Sequence, residues 1–195
     1  EGEGPILAGR MAALLDIASQ LPRQIWYEED SQAHDQRFWE RASKSLQQGT
    51  LLLFDLGFVN HPIFDRLTAK GVSFLTRMKQ NAAYQTVHLL GKGEHFCDQI
   101  ILLGSRGKQC AHQMRLVEVR HEGKWYRYLT NVLDPKLLCT EDVVALYWQR
   151  WRVEDAFKIV KRLLGLAYFW TGACNGIQLQ VWATWLLYAA QADLT

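Results

Sequence analysis

Tyr147, Arg150, Glu154, Lys158 and Lys161 follow one another at gaps of three, four, four and three residues. At 3.6 residues per turn, these five fall on one helix face within about a quarter of the circumference. Leu146, Val153, Phe157, Val160 and Leu164 form an apolar face beside them. By spacing alone such a stripe is an ordinary solvated face, with Glu154 and Lys158 paired across one turn. It becomes chemically interesting if a second carboxylate arrives from another element, because two carboxylates can hold a divalent cation. Asp55 is the candidate. It ends the apolar run Leu51 to Phe54, at the edge where α/β sheets place their ligands, and Gly57 lets the chain turn away two residues later. A shared metal requires the two carboxylates within several ångströms of each other, since metal–oxygen distances are about 2.0–2.6 Å.

The elements that must position these residues are readable in outline. Ile6 to Ile17 and Leu21 to Tyr27 suggest two antiparallel strands with Leu21-Pro22-Arg23 as the turn. His34 to Gln47 carries Phe38, Ala42 and Leu46 at helical spacing and should be an amphipathic helix closed by Gly49. Leu51 to Phe54, a helix from Asn60 to Lys70 with Pro62 in its first turn and Gly71 past its end, and a strand from Val72 to Arg77 make a βαβ unit. Residues 83–131 alternate polar and apolar and are predicted to be a β-rich insertion. Thr140, with Glu141 and Asp142 after it, should cap one long helix running to about Leu164 and stopping at Gly165. A last helix, Ile177 to Ala192, is apolar nearly all round and is expected to be buried.

Composition bounds the function. The chain has 195 residues, 49% of them hydrophobic, with 22 Lys and Arg against 20 Asp and Glu, so it is an ordinary globular sequence with a net charge of only +2. No overall field draws it to nucleic acid, and DNA contact would have to come from a local basic stripe. The expected organisation is α/β, a single domain over 1–195 without internal repeat or linker. The four cysteines make no Cys-x-x-Cys pair, the opening residues lack a signal-peptide pattern, and the longest apolar run falls short of a membrane span. A cytoplasmic protein without a membrane anchor is the expectation.

Asp55-Leu56-Gly57-Phe58 resembles the Asp-x-Gly-Phe/Tyr element around the second catalytic aspartate of bacterial DDE transposases of the insertion sequence four family. Tyr147-x2-Arg150-x3-Glu154-x6-Lys161 resembles that family's Tyr-Arg-Glu-Lys signature at every spacing, and Thr130-Asn131 also resembles the family pattern. The resemblance implies an RNase H-like mixed sheet flanked by helices, with the β-rich insertion before the helix of the catalytic glutamate. It implies DNA strand cleavage and strand transfer at transposon ends, with two Mg²⁺ ions as cofactors. Asp55 and Glu154 would be the second and third metal carboxylates. Arg150 and Lys161 would contact phosphates, Arg by a two-pronged fork and Lys as a point charge, and Tyr147 a phosphate or the terminal base; by its place on the basic stripe, Lys158 could neutralise a third phosphate. The implied partners are terminal inverted repeats and target DNA, with a homodimer in the DNA complex at the bacterial nucleoid.

The family's first aspartate lies on the first strand of its sheet, ahead of the segment that Ile6 to Ile17 resembles. Asp16 lies on the wrong strand for that role, so the chain is expected to be a fragment lacking the first catalytic Asp and inactive alone. Two further readings share the carboxylates or the basic stripe: a catalytically inactive DNA-binding remnant, and a nuclease of the RNase H superfamily. Trp125, beside Tyr126 and Tyr128, is a candidate platform for a base flipped from a DNA end, although a sheet aromatic is the ordinary reading. His95-x-Cys97 and Cys110-x-His112 are at strand spacing and could together make a zinc site. His34 and Asp35 read as helix caps.

Overall fold

Asp16 makes the first turn. Its carboxylate accepts the Ala18 and Ser19 backbone N–H groups at 3.0 and 3.1 Å and the Arg23 guanidinium at 2.8 Å. This closes the hairpin of β1 (Arg10–Leu15) and β2 (Pro22–Glu28). The turn therefore precedes Pro22, which takes the first position of β2, where its missing N–H costs no ladder bond. The computed structural model describes residues 9–30, 35–58, 61–166 and 168–193. His34 lies outside these. They fall into two compact units, one of residues 39–148, the other of residues up to 38 together with those from 149 onward.

The 39–148 unit is a six-stranded mixed sheet flanked by helices, an arrangement consistent with an RNase H-like fold, with its strands in the order Leu51–Leu53, Ser73–Arg77, Lys124–Thr130, Met114–His121, Phe96–Leu103 and Tyr84–Lys92. Its first part is the βαβ unit: β3 (Leu51–Leu53), α2 (His61–Ala69) and β4 (Ser73–Arg77), with Leu51 opposite Ser73 in parallel register. Gly71, at φ +71°, ends α2 in the left-handed conformation that glycine adopts at least cost. Before it, α1 spans Trp39–Ser45 after a tight turn at Asp35–Phe38, shorter than the predicted helix. The four strands β5 (Tyr84–Lys92), β6 (Phe96–Leu103), β7 (Met114–His121) and β8 (Lys124–Thr130) are antiparallel. They extend the same sheet, because β8 also pairs with β4, Leu75 opposite Thr130. At its outer edge β5 carries two register shifts, irregularities that discourage edge-to-edge pairing.

Successive strand residues point to opposite faces, so Phe74 and Leu75 define two layers. Phe74 stacks on Phe64 of α2, ring centroids 4.7 Å apart. Leu75 instead packs with Val117, Tyr128, Val143 and Tyr147, which brings in α3 (Thr140–Trp148). Arg115, completely buried, joins the sheet to α3: its Nε donates to Asp98 at 2.8 Å, a terminal nitrogen donates to the Leu138 carbonyl, and the Thr140 hydroxyl donates to Asp98 at 3.3 Å.

In the other unit, β1 and β2 make a sheet of their own among the described residues. Against it lie α4 (Trp151–Lys158) and α5 (Cys174–Asp193), and the core holds Leu15, Ala156, Val160, Ile177, Val181 and Trp185. Two expectations are corrected here. The long helix of 140–164 is interrupted: Arg152 and Val153 donate to the carbonyls three residues back, at Gln149 and Arg150, and a π-helical turn follows at Ile159–Leu163. A tightened turn and a widened one change the angular phase of every residue beyond them, so the five-residue stripe does not lie on one continuous face. The last helix buries one side only. Ile177, Val181, Trp185 and Tyr188 face the core, while Leu179 and Leu186 are exposed. No helix of the described residues is long and apolar enough to cross a membrane.

Asp16 supplies an acid test of the hairpin. Its hydrogen bond from Arg23, then that from the Ser19 backbone, lower its pKa from 3.8 to about 2. A depressed carboxylate pKa stabilises the fold above the unfolded value and stops doing so as pH falls through the folded one. Between about pH 4 and pH 2 the hairpin's stability should therefore fall. Asp16→Asn should remove that part of the pH dependence, as measured by thermal unfolding at stepped pH, and an unchanged acid limb would deny Asp16 this role.

Candidate active site

The Asp55 corner is built by β3 running out. Phe54 still belongs to the sheet: its N–H donates to Leu75 at 3.3 Å, and its carbonyl accepts the Thr76 hydroxyl at 2.9 Å. The next residue cannot continue, because β3 ends as the chain turns through Leu56–Phe58. Asp55 stabilises that turn twice, its Oδ1 accepting the Leu56 N–H at 2.7 Å and its carbonyl the Phe58 N–H at 3.0 Å. Trp39 secures the far side by donating its indole N–H to the Phe58 carbonyl at 2.6 Å. The carboxylate is thus exposed but held at a fixed place.

Tyr147 completes the corner. The sequence places it on an open helix stripe, but it is buried at 6% exposure, with its ring 5.3 Å from that of Tyr128 and its hydroxyl 3.4 Å from Asp55 Oδ1. The tyrosine of one motif and the aspartate of the other therefore meet within a single unit. Asn131, whose partner Thr130 resembles the family pattern, does structural work nearby. Its side chain accepts from Phe74 N–H at 2.8 Å and donates to the Val72 carbonyl and Thr68 hydroxyl at 2.9 and 3.0 Å, tying β4, α2 and the end of β8 together.

Glu154 lies in the first turn of α4 in the other unit. Arg150 donates to its Oε1 at 2.8 Å and lies 4.9 Å from the Trp151 ring centroid. Arg150 has only 13% of its side chain exposed, so it is a neighbour that fixes Glu154 rather than a freely reaching cation. The predicted Glu154–Lys158 pair is replaced by Arg150–Glu154 and by Lys158–Asp155, the latter at 2.8 Å. Lys161 sits in the π-helical turn, 5.6 Å over the Phe157 ring. Val153, Phe157, Val160 and Leu164 do join the core, as the apolar face requires.

The remaining candidates are dispersed. Trp125 is 41% exposed at the start of β8, opposite Arg120, beyond a two-residue turn in which Glu122 and Gly123 both take positive φ. The zinc arrangement is not formed. Cys97 pairs with Glu118, whereas Cys110 and His112 lie before Met114, which pairs with Ile101, four residues further along the ladder, or about 13 Å. Cys110 instead approaches the His61 carbonyl, and His112 hydrogen-bonds Asp65 at 2.9 Å. Asp16, a turn former, has no part in the site.

A transposase DDE domain model matches residues 9–188. The chain belongs to this family. A Sinorhizobium fredii protein named "Putative transposase y4zB" is 26% identical over 198 aligned positions, covering 97% of this chain and 54% of that protein. The transposase domain described here thus spans about half the length of that relative. DDE transposases generally use divalent metals. Asp55 and Glu154 each offer hard carboxylate oxygens, one exposed and one half-exposed, of the kind Mg²⁺ takes. Among the described residues no group of three or more His, Cys, Asp or Glu side chains is gathered for a metal.

Proposed function

We propose that this chain is part of the catalytic domain of an insertion sequence four transposase, one that cuts and joins DNA at transposon ends. The whole protein would act as a homodimer on terminal inverted repeats and target DNA. What supports this reading most is Asp55: an exposed carboxylate fixed at a strand end, hydrogen-bonded by the motif tyrosine, in a chain that the family model matches almost throughout. Asp55 and Glu154 are the proposed ligands of divalent metal, Mg²⁺ in the cell. When bound, such ions activate a water or a DNA 3′-hydroxyl and stabilise the leaving oxygen at phosphorus.

The protein's own part is to position. Tyr147 orients the Asp55 carboxylate through its hydroxyl, and Arg150 does the same for Glu154 through its guanidinium. Lys158 and Lys161, both exposed, neutralise phosphates without reading sequence; Arg150 reaches a phosphate only as far as its bond to Glu154 yields. Trp125 offers a ring on which a displaced base can stack. The segment 83–131, which supplies β5 to β8, corresponds in this reading to the β-rich insertion of the family.

Salt dependence tests the DNA reading. Each neutralised duplex phosphate adds about −0.9 to the slope of log K against log salt, so Lys158→Ala with Lys161→Ala should flatten the slope by about two units. Equilibrium binding to a duplex at several salt concentrations measures it. A slope unchanged from the parent would make both lysines ordinary solvated residues and withdraw them from the DNA contact.

A further inference from the structure

Tyr168 and Trp170 are 79% and 87% exposed, although Trp ordinarily buries much of its ring. Their exposure is constructed. Between them Phe169 turns into the core, and the Gln180 side chain, itself only 6% exposed, grips the backbone on both sides. Its Nε2 donates to the Tyr168 carbonyl at 2.6 Å, and its Oε1 accepts the Trp170 N–H at 3.2 Å. The loop also folds back on the π-helical turn, Leu166 N–H donating to Val160 at 3.2 Å and Tyr168 N–H to Gly165 at 3.2 Å. A buried amide thus fixes the backbone on both sides of Phe169, at two residues whose aromatic side chains are exposed.

Charge identifies the ligand class. From Ala156 to Ala192 the sequence carries three cations, Lys158, Lys161 and Arg162, and no carboxylate. Lys158 is paired with Asp155, while Lys161 and Arg162 are exposed. Glu29, which reaches the start of α5, is engaged by the Cys174 thiol at 2.6 Å. Outward aromatic rings preceded along the chain by two exposed cations, Lys161 and Arg162, are a combination that binds single-stranded nucleic acid, with bases stacked on the rings and phosphates on the cations.

We propose that Tyr168 and Trp170, fixed by Gln180, form a stacking platform for unpaired bases of single-stranded DNA, with Lys161 and Arg162 taking adjacent phosphates. That the strand is DNA rests on the transposase reading above. Tyr168, Trp170 and Gln180 are none of the residues assigned above to metal or DNA. It serves the stage at which a cut or frayed end exposes unpaired bases.

The test is fluorescence anisotropy of a labelled oligothymidylate of about 20 nucleotides, and of a duplex of the same length, with the whole chain in EDTA. Tyr168→Ala and Trp170→Ala should each weaken single-strand binding about tenfold, in line with the usual effect of removing one stacked base. Duplex binding should move less than about twofold, and Trp170→Phe should keep most of the single-strand affinity. Gln180→Leu, which keeps both aromatic residues but removes the amide that fixes their backbone, should also weaken it, and circular dichroism with thermal unfolding confirms that each variant folds. Alanine variants that bind the single strand like the parent overturn the proposal. So does a Tyr168→Ala and Trp170→Ala double variant that changes only the sedimentation coefficient, which would make the rings a contact between copies of the chain. Duplex binding without single-strand binding removes the platform and leaves the transposase reading intact, whereas binding of neither form counts against both.

Discussion

Asp55→Asn and Glu154→Gln, each made in the whole transposase, are expected to lower strand transfer by about a thousandfold or more, since metal stabilisation of the transition state amounts to several kcal/mol. Both substitutions keep the shape of the side chain and remove the charge that holds a cation. DNA affinity should hold or rise, because one negative charge near the phosphates disappears. Tyr147→Phe should act more mildly, raising the metal concentration for half-maximal activity about tenfold, as loss of a residue that orients a metal ligand generally does. The hydroxyl 3.4 Å from Asp55 is all that this change removes. The 195-residue chain alone should join no DNA, with only two of the family's three carboxylates assigned in it. Strand transfer by this chain with Mg²⁺ would show that a third catalytic aspartate lies within it. Full activity in Asp55→Asn would remove that residue from the site.

Arg115→Met should destabilise the 39–148 unit by about 3–5 kcal/mol, the usual cost of leaving a buried charge without its partner. Asp98 is 4% exposed and would lose its bidentate guanidinium, while the Leu138 carbonyl would lose a donor at the entry to α3. Against a typical stability of about 5–15 kcal/mol this is a large fraction of the whole. Urea unfolding reads it directly. The double variant Asp98→Leu with Arg115→Met should recover much of the loss, because no charge is then stranded. If Arg115→Met alone unfolded at the parent's midpoint, the pair would contribute nothing to the fold.

The βαβ unit was legible because its signals are local: an apolar run, Pro62 and Gly71 as helix boundaries, then a second apolar run. The β-rich character of residues 83–131 was equally visible from alternation. Arg115 was not, since a charge alternating with apolar residues in a strand reads as a solvent-facing position until the partner across the sheet, Asp98, is known. The break at Gln149 was hidden for a different reason. Shifting a few backbone hydrogen bonds by one residue leaves the periodicity of the side chains almost unchanged, yet it separates Tyr147 from Arg150 and places them in different units. The motif spacing was readable, but the burial of its tyrosine against Asp55 needed the sheet. In α5 the residue types were uninformative, because an all-apolar helix does not say which side is covered.

Iron-directed cleavage of the polypeptide tests the central claim most directly. Fe²⁺ takes the place of Mg²⁺ at carboxylate sites, and with ascorbate and peroxide it cuts the backbone close to where it is bound. In the whole transposase the cuts should fall beside Asp55 and Glu154, fade as Mg²⁺ is added, and be lost in Asp55→Asn. Cuts that appear elsewhere, or that persist in Asp55→Asn and in excess Mg²⁺, would contradict the proposal that these two carboxylates are metal ligands.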